Sequence, residues 1–452
     1  MDQKLIDAFL SRDAQRKGDI ATAWGLYEGD WPEPLRPSDT DPDGADNTIL
    51  NLVRKVIDKG AWFLFGKGLD IEVDGEGDTP ADEWAKGFLA QQGGDRFWAD
   101  LATSGAVSGD AYAMLVAPPP GQTYPRLRSL DAQHVTVVTD PLDWERITAY
   151  VVCAPVFNPV SGQTDQHQMV IEQDAATGGW TITESIQEGT YSTRRGYRLT
   201  REPVLWPFAW CPIIACKNLP APHRTHGTPD LTRDLIRVNR AINFLSSNAQ
   251  RVLRLQGHGK PFARGVPLDT EIDMAPDTVM VMESESAELG YVQADADIAG
   301  HSQRIGEMVS LLHQMSSVPE IAFGKVHDLG QLSSGRALEV LYQALIDVTE
   351  TKRGLYGPLV VEVVKRALDM GGFGYEHEVA LHWPAMIDRG AAMTREDVDA
   401  ALGKRQLGIS AATILSEYGY DAEAEAEKIA REGAALGSGL LAAFDHGAGD
   451  GE

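Results

Sequence analysis

The chain has 452 residues, 43% of them hydrophobic, which is enough for two or three core-forming units. Its 40 lysines and arginines stand against 66 aspartates and glutamates, a net charge of −26. That excess excludes tight nucleic-acid binding through the general surface, because such binding needs cations to displace phosphate counterions.

Three irregularly spaced cysteines, Cys153, Cys211 and Cys216, exclude a disulfide framework or a zinc cluster and imply a reducing compartment. No run approaches the roughly 18 apolar residues of a membrane span. The start, Met1-Asp2-Gln3-Lys4, lacks a signal peptide's apolar core. A soluble, intracellular protein without a membrane partner is expected.

Leu5 to Leu26 predicts one helix, and Gly29 to Asn47, dense in proline, glycine and aspartate, predicts an extended connector. Asn47 then caps a helix with Leu50, Val53, Ile57 and Ala61 on one side, stopping at Gly66-Lys67-Gly68. Leu69 to Val73 alternates as a half-exposed strand. Helices are expected over Ala81 to Gln92 and Arg96 to Ser108, then a buried strand over Ala111 to Val116. Strand-like runs follow at 126–130, 135–139, 147–153, 169–172, 180–185 and 197–199, separated by turn signals such as Asp140-Pro141 and Gly178-Gly179. This half is mixed α and β with antiparallel meanders. The prolines from Pro203 to Pro229 predict an irregular crossing.

Thr228-Pro229-Asp230 predicts a helix start: a capping hydroxyl, proline in the first turn and a carboxylate at the positive end. Leu231, Leu235, Val238, Ile242, Leu245, Ala249 and Val252 then repeat four-three, a 3.5-residue seam of helices lying nearly parallel to neighbours. Arg233, Arg237, Arg240, Arg251 and Arg254 lie off the seam. The plain alternative is an amphipathic helix covering its own core. Gly257-His258-Gly259 ends it, and Lys260 to Gln293 carries short strand-like runs among many acids.

Ile305, Met308, Leu312 and Met315 then mark a returning helix, ended by Ser317, Val318 and Pro319. From Glu320 to Ser334 there is no sustained period, and Ser333 or Ser334 caps another helix. Its apolar side is Leu338, Leu341, Leu345, Val348, Leu355, Leu359, Val363 and Ala367, with a kink expected at Gly354 and Gly357-Pro358. One helix goes out, an acidic β-containing tip turns the chain round, and a second comes back. Beyond Met370, one strand is expected at Val379 to Trp383, then helices opening at Thr394, Ser410 and Asp421.

No phosphate loop or dinucleotide fingerprint occurs. His377-Glu378 with His382 resembles a zinc-protease motif, but the second histidine is one residue late, and in a strand the imidazoles would point to opposite faces. Asp110 and Asp131 are acid/base candidates with no evident partner; turn and cap roles are commoner. His258, His313 and His327 stand isolated. The expectation is a protein that is not an enzyme and holds no metal or cofactor.

Several stretches resemble the portal protein of tailed double-stranded DNA bacteriophages, in order, from about Asn47 to about Arg431. They are Lys59 to Lys67, Gly109-Asp110-Ala111-Tyr112, Ser129 to Val135 and Gly227-Thr228-Pro229-Asp230-Leu231. Val318-Pro319-Glu320 to Gly324, followed by Ser333-Ser334-Gly335-Arg336-Ala337-Leu338, carries it further, and Ile409 to Glu425 looks like the family's acidic C-terminal helices. The resemblance implies an α+β portal-type fold and a ring of about twelve copies at one capsid vertex, around an axial DNA channel.

Carried onto this chain, residues 1–46 would be an N-terminal arm or linker and 47–227 the wing. Stem helices would cover 228–256 and 297–317, with a clip at 257–296 between them. The channel loop would be 318–334, with Lys325, Val326, His327, Asp328, Leu329, Gly330 and Gln331 facing passing DNA without reading its sequence. A kinked wing helix and strand would cover 335–393 and crown helices 394–436, with a flexible acidic tail at 437–452. Leu235, Val238, Ile242, Leu245 and Ala249 would be the oligomer seam of the stem. Glu271, Asp273, Asp277, Glu283, Glu285 and Glu288 in the clip would meet basic surfaces of the partners.

The partners implied are double-stranded DNA, the terminase large subunit, a head–tail adaptor and the major capsid protein. The resemblance places the protein in the virion, assembled in a bacterial cytoplasm. Two readings compete: an acidic helical scaffold or adaptor that encloses no DNA, and an enzyme with an unrecognised site.

Overall fold

The computed structural model describes residues 1–37, 41, 43–75, 79–143, 145–189, 196–256, 260–264, 288–292, 298–324, 335–387 and 395–417. The chain is 46% helix and 20% strand, an α+β composition. It divides into two compact units, Met1–Lys325 with Ala344–Pro384, and Val326–Gln343 with Ala385–Glu452.

In the first unit, helix α1 (Gln3–Glu28) starts on Asp2, whose carboxylate accepts from the Lys4 N–H, and ends at left-handed Gly29. Next come α2 (Leu52–Phe65), β1 (Asp70–Val73), α3 (Pro80–Gln91) and α4 (Asp95–Ser108). The strands β2 (Asp110–Val116), β3 (Arg126–Leu130), β4 (Val135–Thr139), β5 (Ile147–Asn158) and β6 (Gln163–Gln173) follow. After β7 (Trp180–Gln187), β8 (Arg198–Leu199) and β9 (Val204–Leu205), strand β10 (Ile213–Lys217) completes the α/β part. Then come α5 (Arg233–Gln256), β11 (Lys260–Arg264), β12 (Glu288–Val292) and α6 (Ile298–Ser316). Helix α7 (Gly335–Met370), which belongs to this unit from Ala344 onward, and β13 (Val379–His382) close the order.

Strand β2 organises the core. It is central in the sheet β10-β2-β3 and buried on both sides, which is why its sequence is apolar from Ala111 onward instead of alternating. Ala111, Ala113 and Leu115 face a cluster built from α2, α3, α4 and the C-terminal half of α7. Tyr112 and Met114 face the other way, into the cluster of the six-stranded sheet β4-β5-β6-β7-β8 with β9 beside β7. That second sheet is an antiparallel meander, as the turn signals predict.

Three expectations need correcting here. The proline-dense stretch 203–229 contains β9 and β10, and all of β10 pairs with β2, from Ile213 opposite Met114 to Lys217 opposite Asp110. Its prolines flank the strand, where they delete no ladder bond.

The described residues among 1–46 do not stand off as an arm. Ile6 is buried against Val138, Ala149, Val151, Cys153 and Val170, and Ile20 enters the second cluster. The connector after α1 is packed as well, with Trp31, Leu35 and Asp46 buried.

Helix α2 begins at Leu52, not at Asn47. Asn51 is its cap, accepting from the Arg54 N–H, while Asn47 exchanges hydrogen bonds with the backbone of Leu35.

In α7, Pro358 lies inside an unbroken 36-residue helix whose buried side includes Tyr356, Leu359, Val360, Val363, Val364 and Ala367. The solvent-facing position of Pro358 lets the helix tolerate the lost bond. In the second unit, α8 (Arg395–Gln406) is followed by α9 (Ala411–Glu417), with the Ser410 hydroxyl accepting from the Thr413 N–H as its cap. The helix expected from Asp421 and the tail lie outside the described residues.

Candidate assembly surface

Helices α5 and α6 pack on one another, and the antiparallel β11–β12 ribbon joins them at the far end. The seam of α5 is partly spent inside the chain. Leu235 and Ile242 are fully buried, as is Leu312 of α6, and Val238 is nearly so. Leu245 and Ala249 are half-buried. The seam therefore makes the fold of the hairpin first, and the expectation that Ile242 lies between copies does not hold for this arrangement. Phe244, Leu253 and Leu255 of α5 and Leu311 and Met315 of α6 are exposed.

A second face of α5 is polar and buried: Asn239, Asn243 and Ser247, one turn apart. They act as the hydrogen-bond partner of the extended segment before α2. Asn239 donates to the Leu50 carbonyl at 2.9 Å and accepts from the Leu52 N–H at 3.1 Å. Asn243 accepts from the Leu50 N–H at 3.0 Å, and Ser247 both accepts from and donates to the Thr48 backbone. Helix side chains thus stand where a neighbouring strand would. Asn239, Asn243 and Ser247 show no apolar periodicity, so an apolar-seam reading passes over them.

Further along, Arg254 forks onto Asp46 with bonds of 2.7 and 2.6 Å, and Arg251 adds one of 3.0 Å. The Arg254 bonds, reinforced by Arg251, hold the Asp46 carboxyl well below the usual carboxylate range.

The helix begins later than its sequence suggests. Thr232 caps it, accepting from the Leu235 N–H at 3.3 Å, and the Thr228-Pro229-Asp230 stretch forms the root of the hairpin instead. The Asp230 and Leu231 N–H groups bond the Ala106 carbonyl of α4. The Asp230 carboxylate pairs with buried Lys352 of α7 and accepts from Asn218, which in turn accepts from the buried Tyr356 hydroxyl. So the residue after β10, the stretch before α5, and α7 meet in one largely buried polar network.

Beside it, Asp110 accepts the Gly227 N–H at 2.8 Å and lies 2.7 Å from His226 Nδ1. The acid/base candidate Asp110 therefore has a partner that spacing hid, and it serves the contact between two of the motifs. Asp131 is a turn carboxylate, accepting from the Gln133 N–H at 2.8 Å. A cavity of about 270 Å3 opens next to Asp110, lined also by Tyr112, Glu145, Lys217 and Thr225. Burial pushes the Cys211 and Cys216 thiols up to about 12, far from thiolate chemistry at neutral pH.

The end of α6 is tied down. Ser317 takes a left-handed φ of 60°, and Val318 is buried with its carbonyl 3.0 Å from His313 Nδ1. A 3-10 turn over Glu320–Phe323 folds back, with Ser310 donating to Glu320 and the Phe323 ring 5.1 Å from His313. The first part of the expected channel loop is therefore docked, and His313 is engaged, not isolated. Lys325 to Gln331 lie outside the described residues, as do Glu271, Asp273, Asp277, Glu283 and Glu285; Glu288 is exposed at the start of β12.

His377 and His382 do not converge. His377 pairs with Asp74 at 2.7 Å and His382 with Glu72 at 3.0 Å, and no metal-ligand cluster occurs among the described residues. Among those residues, too, no helix is long and apolar enough to cross a membrane.

No protein-family model and no curated protein matches the chain. Among solved structures, it is similar to a chain in the virion of the native gene transfer agent particle, at 12% identity and a TM-score of 0.48, over 89% of this chain and 93% of that one. It is also similar to chains in the neck of the same kind of particle. In the empty particle, computed with C6 symmetry, the TM-score is 0.47 at 13% identity, over 81% and 88% of the two chains. In the native particle, computed with C12 symmetry, it is again 0.47 at 13% identity, over 81% and 91%.

Proposed function

We propose that this chain is the subunit of a portal-type ring at one vertex of a phage-like capsid, with an axial channel through which double-stranded DNA is packaged and ejected. The observation that carries the reading is the helical hairpin. Two helices, α5 and α6, leave and re-enter an α/β body, closed at their far end by a small β ribbon and followed by a loop and a helix that returns to the core.

In this reading about twelve copies associate, the tip 257–296 receives the terminase and later a head–tail adaptor, and the α/β body contacts the capsid shell. The loop 318–334 narrows the channel, and the acidic body lets phosphates slide past instead of binding. The work is passage and docking, and needs no catalytic step or cofactor of the chain's own.

Electron microscopy of the purified protein tests it. Rings with a central hole are expected; monomers or open filaments at every salt concentration overturn the reading. Cysteine at Gly330 then tests the loop: oxidation should crosslink neighbours and block DNA passage, and packaging without an inter-subunit bond removes the loop from the channel.

A further inference from the structure

We propose that neighbouring copies are joined by the outer face of α5, centred on Arg237, Arg240 and Phe244, docking into an acidic groove beside α1 of the next copy. The inference rests on the ring reading above and names the faces that meet.

The first face is cationic on a chain of net charge −26. Arg233, Arg237, Arg240 and Phe244 are spaced four, three and four residues apart and share one side of the helix. Arg237 is 76% exposed and reaches only Asp234, one turn behind it, at 3.3 Å. Arg240 is exposed and meets no carboxylate among the described residues, and Phe244 is 50% exposed. An aromatic side chain beside guanidinium groups is the composition of an interface centre.

The second face is a groove of about 620 Å3 between the end of α1, α4 and the β3–β4 turn, lined by Trp24, Glu28, Asp30, Asp100, Ser129 and Asp131. Among the described residues no cation pairs with Glu28, Asp30 or Asp131, and Asp100 has only exposed Arg96 at 3.9 Å. The groove is also lined by the partly buried Trp24 ring. It can take guanidinium groups and an aromatic ring, and its charge excludes nucleic acid.

The two faces lie on opposite sides of α1. Asp19 accepts from Arg233 at 3.0 Å, so that side of α1 looks toward α5. Ala21, Trp24, Gly25 and Glu28, which line the groove, are about 140° to 240° round the helix from Asp19 at about 100° per residue. Unlike, complementary faces on one subunit make a head-to-tail contact, the kind whose repetition forms a ring when its rotation closes. Charge complementarity fixes its register and its salt dependence.

Charge exchange tests it, read by mass photometry and electron microscopy, with circular dichroism as the check on folding. Arg237→Glu with Arg240→Glu should convert rings to monomers, and Asp100→Arg with Asp131→Arg should do the same. The four changes together should restore rings. If the arginine pair leaves rings intact, the inference fails while the ring reading stands, and intact rings that hold DNA less well would assign the row to DNA instead. If both pairs abolish rings and the combination does not restore them, the two faces belong to different contacts and the pairing is wrong. If the unaltered chain forms no ring, the parent reading fails.

Discussion

Gly109 and Gly227 meet backbone to backbone: a Cβ on Gly227 would stand 2.4 Å from the Gly109 carbonyl oxygen. Gly109 also has a left-handed φ of 91°, which permits the turn from α4 into β2. The contact joins two distant motifs and seats the root of α5 on the α/β body. Gly227→Ala forces backbone atoms apart, an overpacking that costs about 1–3 kcal/mol. A lower thermal unfolding midpoint is expected, with the same secondary structure by circular dichroism.

Asn239 holds the α2 end of the strap that ties 48–52 to α5. Asn239→Ala removes the partner of the Leu52 N–H and the Leu50 carbonyl, two part-buried hydrogen bonds with a net worth of about 0.5–1.5 kcal/mol each. Hydrogen exchange should quicken in a peptide covering 48–54 more than in β2. Equal protection in the variant would remove Asn239 from this role.

Ile242 belongs to the interior of the hairpin. Ile242→Ala should cost about 2–5 kcal/mol of folding stability, seen as a lower denaturant midpoint in dilute, unassembled protein. A variant that unfolds at the same midpoint but assembles poorly would return Ile242 to the contact between copies.

His377 and Asp74 form a partly exposed pair with a pH signature. The hydrogen bond to Asp74 raises the His377 pKa above its ordinary 6.5, and the bond from His377 lowers that of Asp74 below 3.8. Stability from the histidine is full below about pH 6.5 and is lost as pH rises through its folded value. That from the aspartate is present above about pH 3.8 and is lost as pH falls through its own folded value. A proton NMR titration should place His377 above 6.5, and Asp74→Asn should bring it back toward the ordinary value.

Elements whose pattern is local were legible without the fold. Strands β3 and β4 end where their alternation ends, and α3 and α4 begin within a residue of the expected positions, because caps, turns and periodicity act over a few residues. The pair α5 and α6 was legible for the same reason, from a seam, a breaker and a second seam, and so was β12, whereas β11 at Lys260–Arg264 was not read as a strand and the run expected at 278–282 lies outside the described residues. The tertiary structure alone decided which partner each surface takes. A 3.5-residue seam says that a helix is covered, and only the packing shows that Ile242 is covered by its own chain. Prolines beside β10 hid a strand whose ladder bonds are supplied by β2, about a hundred residues earlier. Thr228-Pro229-Asp230 has the chemistry of a cap, yet its polar groups bond Ala106, Asn218 and Lys352, since a buried donor or acceptor takes whatever partner the fold brings within reach. The roles of Asn239, Asn243 and Asp46 follow the same rule, and hydrogen-bond partners distant in sequence leave no period by which to find them.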